Sequence, residues 1–430
     1  MKITIATIGT QGDVQPYVAL GIGLKEAGHD VSLATASNYE DFVTQHGLKF
    51  VPLKVDIYKM LQEFSAANPN VSAFTALCMF IRRMKEVIVP WRKYSCECVS
   101  QIAASTDVLI INTFIYHYFI WSGIPLPGNN KIPCFVVSPH PDISPTRKFP
   151  SFRITTVNLG GMLNRMSYWW ADYGDSILNR ILFPPPKISK SAYRNIFRRH
   201  SVLGELARHS QAYPVLYCYS KQCAPVPDDS KTASVVTGYW FLNSPSEYRP
   251  SDALVNFLNK GEPPVYVGFS SMIAIHPEEV TQIIIEALVR VKKRGLISFG
   301  WGGLAELKNV PDSVMMTRSI PHAWIFPRVQ AIVHHGGAGT TSEAIRSGKP
   351  EMVCYFGWDQ LFWGNQVYRL GVGPRPIDYK KLTVKKLAAA IQRMTSDAHM
   401  QQRAQELAGK IRSEDGVGNA VNLISRLLSQ

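Results

Sequence analysis

The sequence predicts an α/β protein made of two parallel-sheet domains facing a cleft. Three observations carry that reading. At 430 residues the chain exceeds the size at which one hydrophobic core usually keeps growing. It opens on an apolar run, a turn, an apolar-striped helix and a second apolar run, the pattern of a right-handed parallel strand–helix–strand unit. The same alternation restarts after "YWFLNSPSEYRPS", a proline-rich polar stretch that reads as a linker. The expected division is therefore residues 1–240, residues 241–415, and a final helical segment 416–430 that packs back on the first domain.

The elements follow in order. "KITIATIG" is a buried first strand, and "GTQGDVQP" a tight turn entering a helix, with Pro16 suited to the first helical turn because its missing N–H has no partner there. "YVALGIGLKEAGH" supplies the helical stripe and Gly28 its stop, and "DVSLATA" is the second strand. Further strands are expected at Lys49–Pro52, Val108–Asn112 and Cys134–Ser138. "LNRMSYWWADYGDSILNRILFPPP" reads as helix packed over a sheet edge and halted by Pro184–Pro186. Strands at Leu216–Tyr219 and Ser234–Thr237 close the first block. In the second block "PVYVGFSSM" is strand into loop, Glu278–Lys293 a helix, and "GLISFG" and Val314–Thr317 are strands. A short helical turn at Pro321–Phe326 precedes a strand at Ala331–Val333. A helix from about Thr340, a strand at Met352–Tyr355 and a last helix at Gly416–Leu428 complete the reading.

Composition narrows the function. Hydrophobic content of 46% against 18% charged residues fills cores and excludes a disordered chain. The net charge of +14 favours an anionic partner: nucleic acid, an anionic membrane surface or a phosphate-bearing ligand. The basic residues are dispersed, apart from Arg82-Arg83-Met84-Lys85 and Lys380-Lys381, and no nucleic-acid motif surrounds them, so no nucleic-acid partner is expected. Seven scattered cysteines make no disulfide scaffold, and Cys96-Glu97-Cys98 lacks a second metal-ligand pair, which fits reduced thiols in the cytoplasm. Residues 3–8 are too short a run to span a bilayer and no later run is long enough, so the expectation is a cytoplasmic protein, soluble or peripheral on membranes.

Two loops carry chemistry. "GTQGDV" lacks the third glycine of a dinucleotide fingerprint, and the second strand ends in Ala36-Ser37 without an acid for a ribose, so no nicotinamide site is expected. Asp13 in that loop either caps the following helix or faces the cleft and accepts a proton. The second loop is "VHHGGAGTTSEAIRSGKPEMVCYFGWDQLFWGNQ". Gly336, Gly337 and Gly339 allow close backbone approach to a helix start with free N–H groups. His335, Thr340 and Thr341 add donors, an arrangement suited to a diphosphate. No G-K-[ST] follows, which counts against a nucleoside triphosphatase. Ser270 and Ser271 offer a second phosphate-facing hydroxyl pair, and Asp359-Gln360 can bind neighbouring hydroxyls such as a sugar edge. No D-x-D signature or tight Asp/His cluster marks a metal site.

These motifs, "TIGTQGDVQPYVALGIGLKEAGH", "VYVGFSSM", "IPHAWIFPRVQAIVHHGGAGTTSEAIRSGKP" and "GWDQLFWGNQVYRLGVGP", resemble over nearly the whole chain the family-1 nucleotide-sugar glycosyltransferases, in particular their sterol 3-beta-glucosyltransferase branch. The resemblance implies the GT-B fold, two Rossmann-like parallel-sheet domains facing a cleft. It also implies inverting, metal-independent transfer of glucose from UDP-glucose, with no cofactor, to a sterol or similar hydrophobic alcohol. Asp13 matches the catalytic acid; plant relatives place a histidine nearby, where this chain has Gln11 and Gly12. His335 matches the diphosphate-binding histidine, with Gly337, Gly339 and Thr340 around it, and Ser270 the phosphate-facing serine. Glu343 matches the ribose-binding acid, and Asp359 and Gln360 the sugar-holding pair. Ile320 and His322 fall where the nucleoside sits. Aromatics would line the acceptor slot: Phe74 in "NPNVSAFTALCMFIRRM", then Phe114, Tyr116 and Trp121, then Trp169. A promiscuous natural-product glycosyltransferase, a UDP-sugar 2-epimerase and a silent nucleotide-sugar sensor are the competing readings.

Overall fold

A computed structural model describes residues 1–53, 82, 86, 89–122, 132–182, 202–242, 248–270, 272–300 and 302–429. Phe74, Ser271 and the side chain of Trp121 lie outside what it describes. The chain forms two compact units: Met1–Tyr219 with Pro225–Trp240 and Asp415–Gln430, and Ser220–Ala224 with Phe241–Glu414.

The first unit is a seven-stranded parallel sheet in the order β3-β2-β1-β4-β5-β6-β7. Its strands are β1 (Lys2–Ala6), β2 (Asp30–Thr35), β3 (Lys49–Pro52), β4 (Val108–Asn112), β5 (Cys134–Ser138), β6 (Val215–Tyr217) and β7 (Ser234–Val236). β4 and β5 are buried along their full length, as apolar strands covered on both faces must be. Helix α1 (Gln11–Glu26) starts five residues before Pro16. Thr10 and Asp13 cap it there, so Pro16 sits inside the helix. The hydrogen bond that proline cannot make would have gone to the carbonyl of Gly12, an exposed residue whose oxygen water can reach.

Beyond α2 (Glu40–Thr44), the unit holds α3 (Val89–Ala103), α4 (Thr113–Ser122), α5 (Gly161–Leu182) and α6 (Val202–His209). α4, "TFIYHYFIWS", is apolar almost all round and shows no period from which a helix could be read. Its Tyr116 is fully buried, with its ring 6.1 Å from that of His209 on α6. Tyr116 therefore belongs to the core and not to an open slot.

The second unit is a six-stranded parallel sheet in the order β10-β9-β8-β11-β12-β13. The strands are β8 (Val265–Gly268), β9 (Gly295–Ser298), β10 (Val314–Thr317), β11 (Ala331–His334), β12 (Glu351–Tyr355) and β13 (Ile377–Asp378). One face packs Val265, Val267, Ile297, Val333 and Met352 against Ile284, Leu288, Leu387 and Ile391 from α8 (Pro277–Arg290) and α12 (Val384–Ser396), where α7 is Asp252–Asn259, α9 His322–Ile325, α10 Ala338–Ser347 and α11 Gln360–Arg369. Helix α13 (Ala398–Arg412) completes this unit.

The last helix, α14 (Gly416–Leu428), belongs to the first unit and packs on α1. A Cβ at Gly23 of α1 would stand 2.6 Å from Cγ1 of Val417, so this contact admits only glycine. Asp415 caps α14 by accepting from the Gly418 N–H at 2.8 Å.

Both sheets share a plan: strand order reverses beside the first strand, between β1 and β4 in one and between β8 and β11 in the other. Crevices outside such reversals are where open parallel sheets take ligands.

Candidate active site

Both loops read from the sequence leave these reversal points. In the second unit, β8 and β11 end in register, Gly268 opposite His334. Two residues beyond β8, Ser270 has a φ of +50°, a strained setting for a side-chain-bearing residue. A Cβ at Gly300 would stand 2.5 Å from the Ser270 carbonyl oxygen, so that loop closes tightly over its neighbour.

The loop after β11 is built from its buried end outward. His334 and Glu351, the first residue of β12, are both fully buried, with Nε2 and Oε2 2.6 Å apart. Nδ1 of His334 accepts from the Gly336 N–H at 3.1 Å, so Nε2 carries the proton and donates to Glu351. Burial opposes charge on both groups, pushing the Glu351 carboxyl well up and His334 down to about 3. In the sequence the only trace of this pair is a second histidine beside His335 and an acid before the next apolar run.

Gly336 turns the chain at φ +93°, where a Cβ would stand 2.4 Å from Cγ1 of Val353 and 3.0 Å from the Gln360 carbonyl. Gly337 then takes the N-cap position of α10 without a side chain to occupy the helix's first N–H groups. Thr341 is unavailable to a ligand as a donor, because its hydroxyl bonds the Gly337 carbonyl at 3.0 Å. His335 is buried, its Nδ1 has no hydrogen-bond partner, and desolvation lowers it to about 3. It is a neutral imidazole beside an uncapped helix start, and an unpaired buried polar atom of this kind is costly unless a ligand completes it.

Further along α10, Glu343 is buried and bonds Nη2 of Arg346 at 2.8 Å. Burial raises its carboxyl to about 7, with Arg346 opposing. The Arg346 guanidinium lies over the Phe241 ring, 4.3 Å from its centre. Ile320 is buried. His322, the first residue of α9, stacks on Phe326 at 4.5 Å and shares a 3.4 Å contact with the Tyr266 hydroxyl, and burial lowers it to about 4.

The sugar-pair residues are held asymmetrically. Asp359 Oδ2 accepts from the Trp363 indole N–H at 3.1 Å. Gln360 is buried, and its Oε1 accepts from the Phe356 N–H at 2.7 Å while its amide nitrogen lies 3.1 Å from the Met272 sulfur. Gln360 thus shapes the loop as well as offering an amide.

In the first unit, Asp13 is half-buried. Its Oδ2 accepts from the Thr10 N–H at 2.8 Å and from the Thr10 hydroxyl at 3.1 Å. The capping reading is therefore observed directly. Gly9, at φ +148°, exists for this carboxylate: a Cβ there would stand 2.2 Å from Oδ2. The Thr7 hydroxyl bonds the Asp13 carbonyl at 2.8 Å, and Asn112 at the end of β4 donates to Thr7 Oγ1 and to the Ile8 carbonyl. Asn112 is a loop-holding residue the sequence did not single out. A second such feature follows β5, where nearly buried His140 and Asp142 pair at 2.7 Å. Phe114 and Trp169 are partly exposed on α4 and α5. Among the described residues no group of three or more His, Cys, Asp or Glu side chains could hold a metal ion.

Residues 3–115 match the glycosyltransferase family 28 N-terminal domain, and residues 282–422 the C-terminal domain of erythromycin biosynthesis protein CIII-like proteins. A sterol 3-beta-glucosyltransferase of Arabidopsis thaliana is 35% identical over 427 residues, covering 98% of this chain and 64% of the relative. A second from the same plant is 33% identical over 441 residues, covering 100% and 68%. The chain belongs to the sterol 3-beta-glucosyltransferase family. It spans about two thirds of the length of these plant relatives. Among solved structures, the glycotransferase of kitacinnamycin superposes with a TM-score of 0.71 at 19% identity over 99% of both chains, a likeness that shows the GT-B fold. The two matched segments of this chain contain Asp13 in one and the whole run from His335 to Gln360 in the other.

Proposed function

We propose that the protein transfers glucose from UDP-glucose, with inversion, to the hydroxyl of a sterol or similar hydrophobic alcohol. The observation that carries this is the uncapped start of α10 with the neutral imidazole of His335 beside it. A diphosphate supplies oxygens that the free helix N–H groups can bind, with the imidazole at its side. The sterol 3-beta-glucosyltransferases this chain is similar to support a glucosyl donor and a sterol-like acceptor.

In this scheme the acceptor hydroxyl attacks the anomeric carbon from the face opposite the nucleotide. The carbon–oxygen bond to UDP breaks as the new glycosidic bond forms, and Asp13 takes the hydroxyl proton. A carboxylate is a weak base for an alcohol, so the proton moves late, when the attacking oxygen has become acidic. The departing UDP carries its charge onto the helix start and His335, where fixed dipoles meet it without reorganisation. The scheme calls on no cofactor and no divalent metal. An alcohol of this kind resides in membranes, so the enzyme works peripherally at a bilayer surface. No helix among the described residues is long and apolar enough to cross one.

Mass spectrometry of products from UDP-glucose with ergosterol, cholesterol, a triterpenoid, a macrolide and a flavonoid tests the reading. A gain of one hexose mainly on the sterols is expected. Equal transfer to the flavonoid and macrolide would replace it with a promiscuous natural-product enzyme.

The Glu343 carboxyl adds a pH signature. It ionises at about 7 in the free protein, and its carboxylate is the better acceptor for ribose hydroxyls. UDP affinity should therefore rise between about pH 6 and pH 8 by more in the wild type than in Glu343→Gln, a comparison that cancels the titration of UDP itself. The same raised value makes the folded state bind this proton more tightly than the unfolded chain. Its contribution to stability is thus present in acid and lost as the pH rises through about 7. Calorimetric titrations of both proteins would show parallel pH profiles if Glu343 plays no part.

A further inference from the structure

Helix α5 of the first unit places its apolar residues unusually. Its inward face buries Tyr168 and Ala171 but is otherwise polar. The buried Asn164 donates to the Arg147 carbonyl at 2.9 Å and to Asn158 at 2.7 Å, and the buried Ser167 accepts from the Ser151 N–H at 2.8 Å. Asp172 is buried, and Asp175 is bonded to Arg153. Its outward face carries the large apolar side chains: Met162 at 74% exposed, Met166, Trp169, Trp170, Tyr173 at 65% and Ile177. Their helical spacing makes them one stripe about four turns long. Scattered exposed apolar residues need no account, but a continuous stripe whose helix keeps its polar residues for the core does.

We propose that this stripe docks the enzyme on an anionic phospholipid bilayer. Two tryptophans and a tyrosine among methionines and isoleucine suit the boundary between headgroups and acyl chains, where amphipathic rings settle. Charge agrees. The only two acids between residues 161 and 178, Asp172 and Asp175, are the inward ones, so the stripe brings no carboxylate to the lipid. Arg165 lies on the helix itself, and the Arg147 side chain stands beside Gly161 where the helix begins. The chain as a whole carries +14. A second copy of the chain would fit the stripe less well, because a two-fold contact sets these arginines against each other. The inference rests on the reading of a membrane-resident acceptor for its purpose, while the stripe and the charge around it stand without that reading.

Co-sedimentation of the full chain with vesicles, in the absence of donor and acceptor, tests it independently of transfer. The wild type should bind vesicles of phosphatidylcholine and phosphatidylserine in equal amounts, bind phosphatidylcholine alone more weakly, and release as salt rises. The combined variant Met162→Ser/Trp170→Ser/Tyr173→Ser should lose about tenfold or more in vesicle affinity. Trp170→Phe, which keeps the apolar area, should bind like the wild type. Equal binding by the triple variant, with an unchanged thermal midpoint, would overturn the proposal. So would a wild type that ignores vesicles and is a dimer in solution, with the triple variant a monomer, because a second copy would then cover the stripe. If vesicle binding behaves as expected while the acceptor screen fails, only the choice of substrate is wrong.

Discussion

Replacing Asp13 with asparagine should lower glucosyl transfer by about 10²–10⁴-fold while leaving UDP affinity and folding nearly unchanged. The separation is sharp because the residue's two tasks differ in what they ask of the side chain. As a cap, it needs an oxygen that accepts from the Thr10 N–H and hydroxyl, and an amide oxygen does this as well. Removing the negative charge from the first turn of α1 costs about 0.3–1 kcal/mol through the helix dipole. As a base, it needs a lone pair that can hold a proton, which an amide does not provide. Turnover, UDP titration and a thermal melt on one preparation therefore decide the matter. Near-normal turnover would end the assignment of Asp13 as base, and His140, paired with Asp142, would be the next residue to test.

The second large effect is expected at the diphosphate loop. His335→Ala removes the buried imidazole from the start of α10 and should lower kcat/KM by about 10²–10³-fold, the usual consequence of losing one preorganised donor to a developing charge. Gly337→Ala reaches the same group differently. Gly337 has an ordinary φ of −62°, so alanine suits its backbone, but the new Cβ would stand 2.6 Å from Nε2 of His335. The imidazole must move, and activity should fall with little change in stability. Gly336→Ala is the contrast. There the positive φ and the contact with Val353 put the burden on the fold, so the thermal midpoint drops with the activity. If Gly337→Ala turns over like the wild type, His335 does not serve the reaction from its observed position.

Much of this was legible in the sequence. Apolar strands bounded by glycine and polar turns mark β1, β2, β4, β5 and β8 to β12 within a few residues, because strands buried on both faces read as continuous apolar runs. The glycine loop and Asp359-Gln360 stand out because bare backbone and hydroxyl-binding side chains at fixed spacing are rare in plain structural loops. What the sequence hid was mostly packing. At the start of α1 proline is the louder signal, while the Thr10–Asp13 box that sets the boundary looks like any polar turn. α4 is hidden because a helix apolar almost all round has no periodicity. Glu351 lies 17 residues from His334, and only adjacent parallel strands bring them together. Tyr116 shows the reverse error: an aromatic in an aromatic-rich run suggested a ligand slot, and the fold uses it as core.

The first unit is closed by a helix that follows the whole second unit in the chain. α14 rests on α1, and Gly23 is shaped to receive Val417, yet the whole second unit lies between them in the chain. During synthesis the first unit therefore emerges with the α1 face uncovered and must wait, partly built, while residues 241–414 are translated and fold as a body of their own. At ribosomal rates of roughly 5–20 residues per second that interval lasts on the order of ten seconds or more, long enough for chaperones to bind the open face. Completion of the half that carries Asp13 is thereby tied to completion of the half that carries His335, and a nascent chain stalled before residue 416 would hold the nucleotide-binding loops without a finished partner for them.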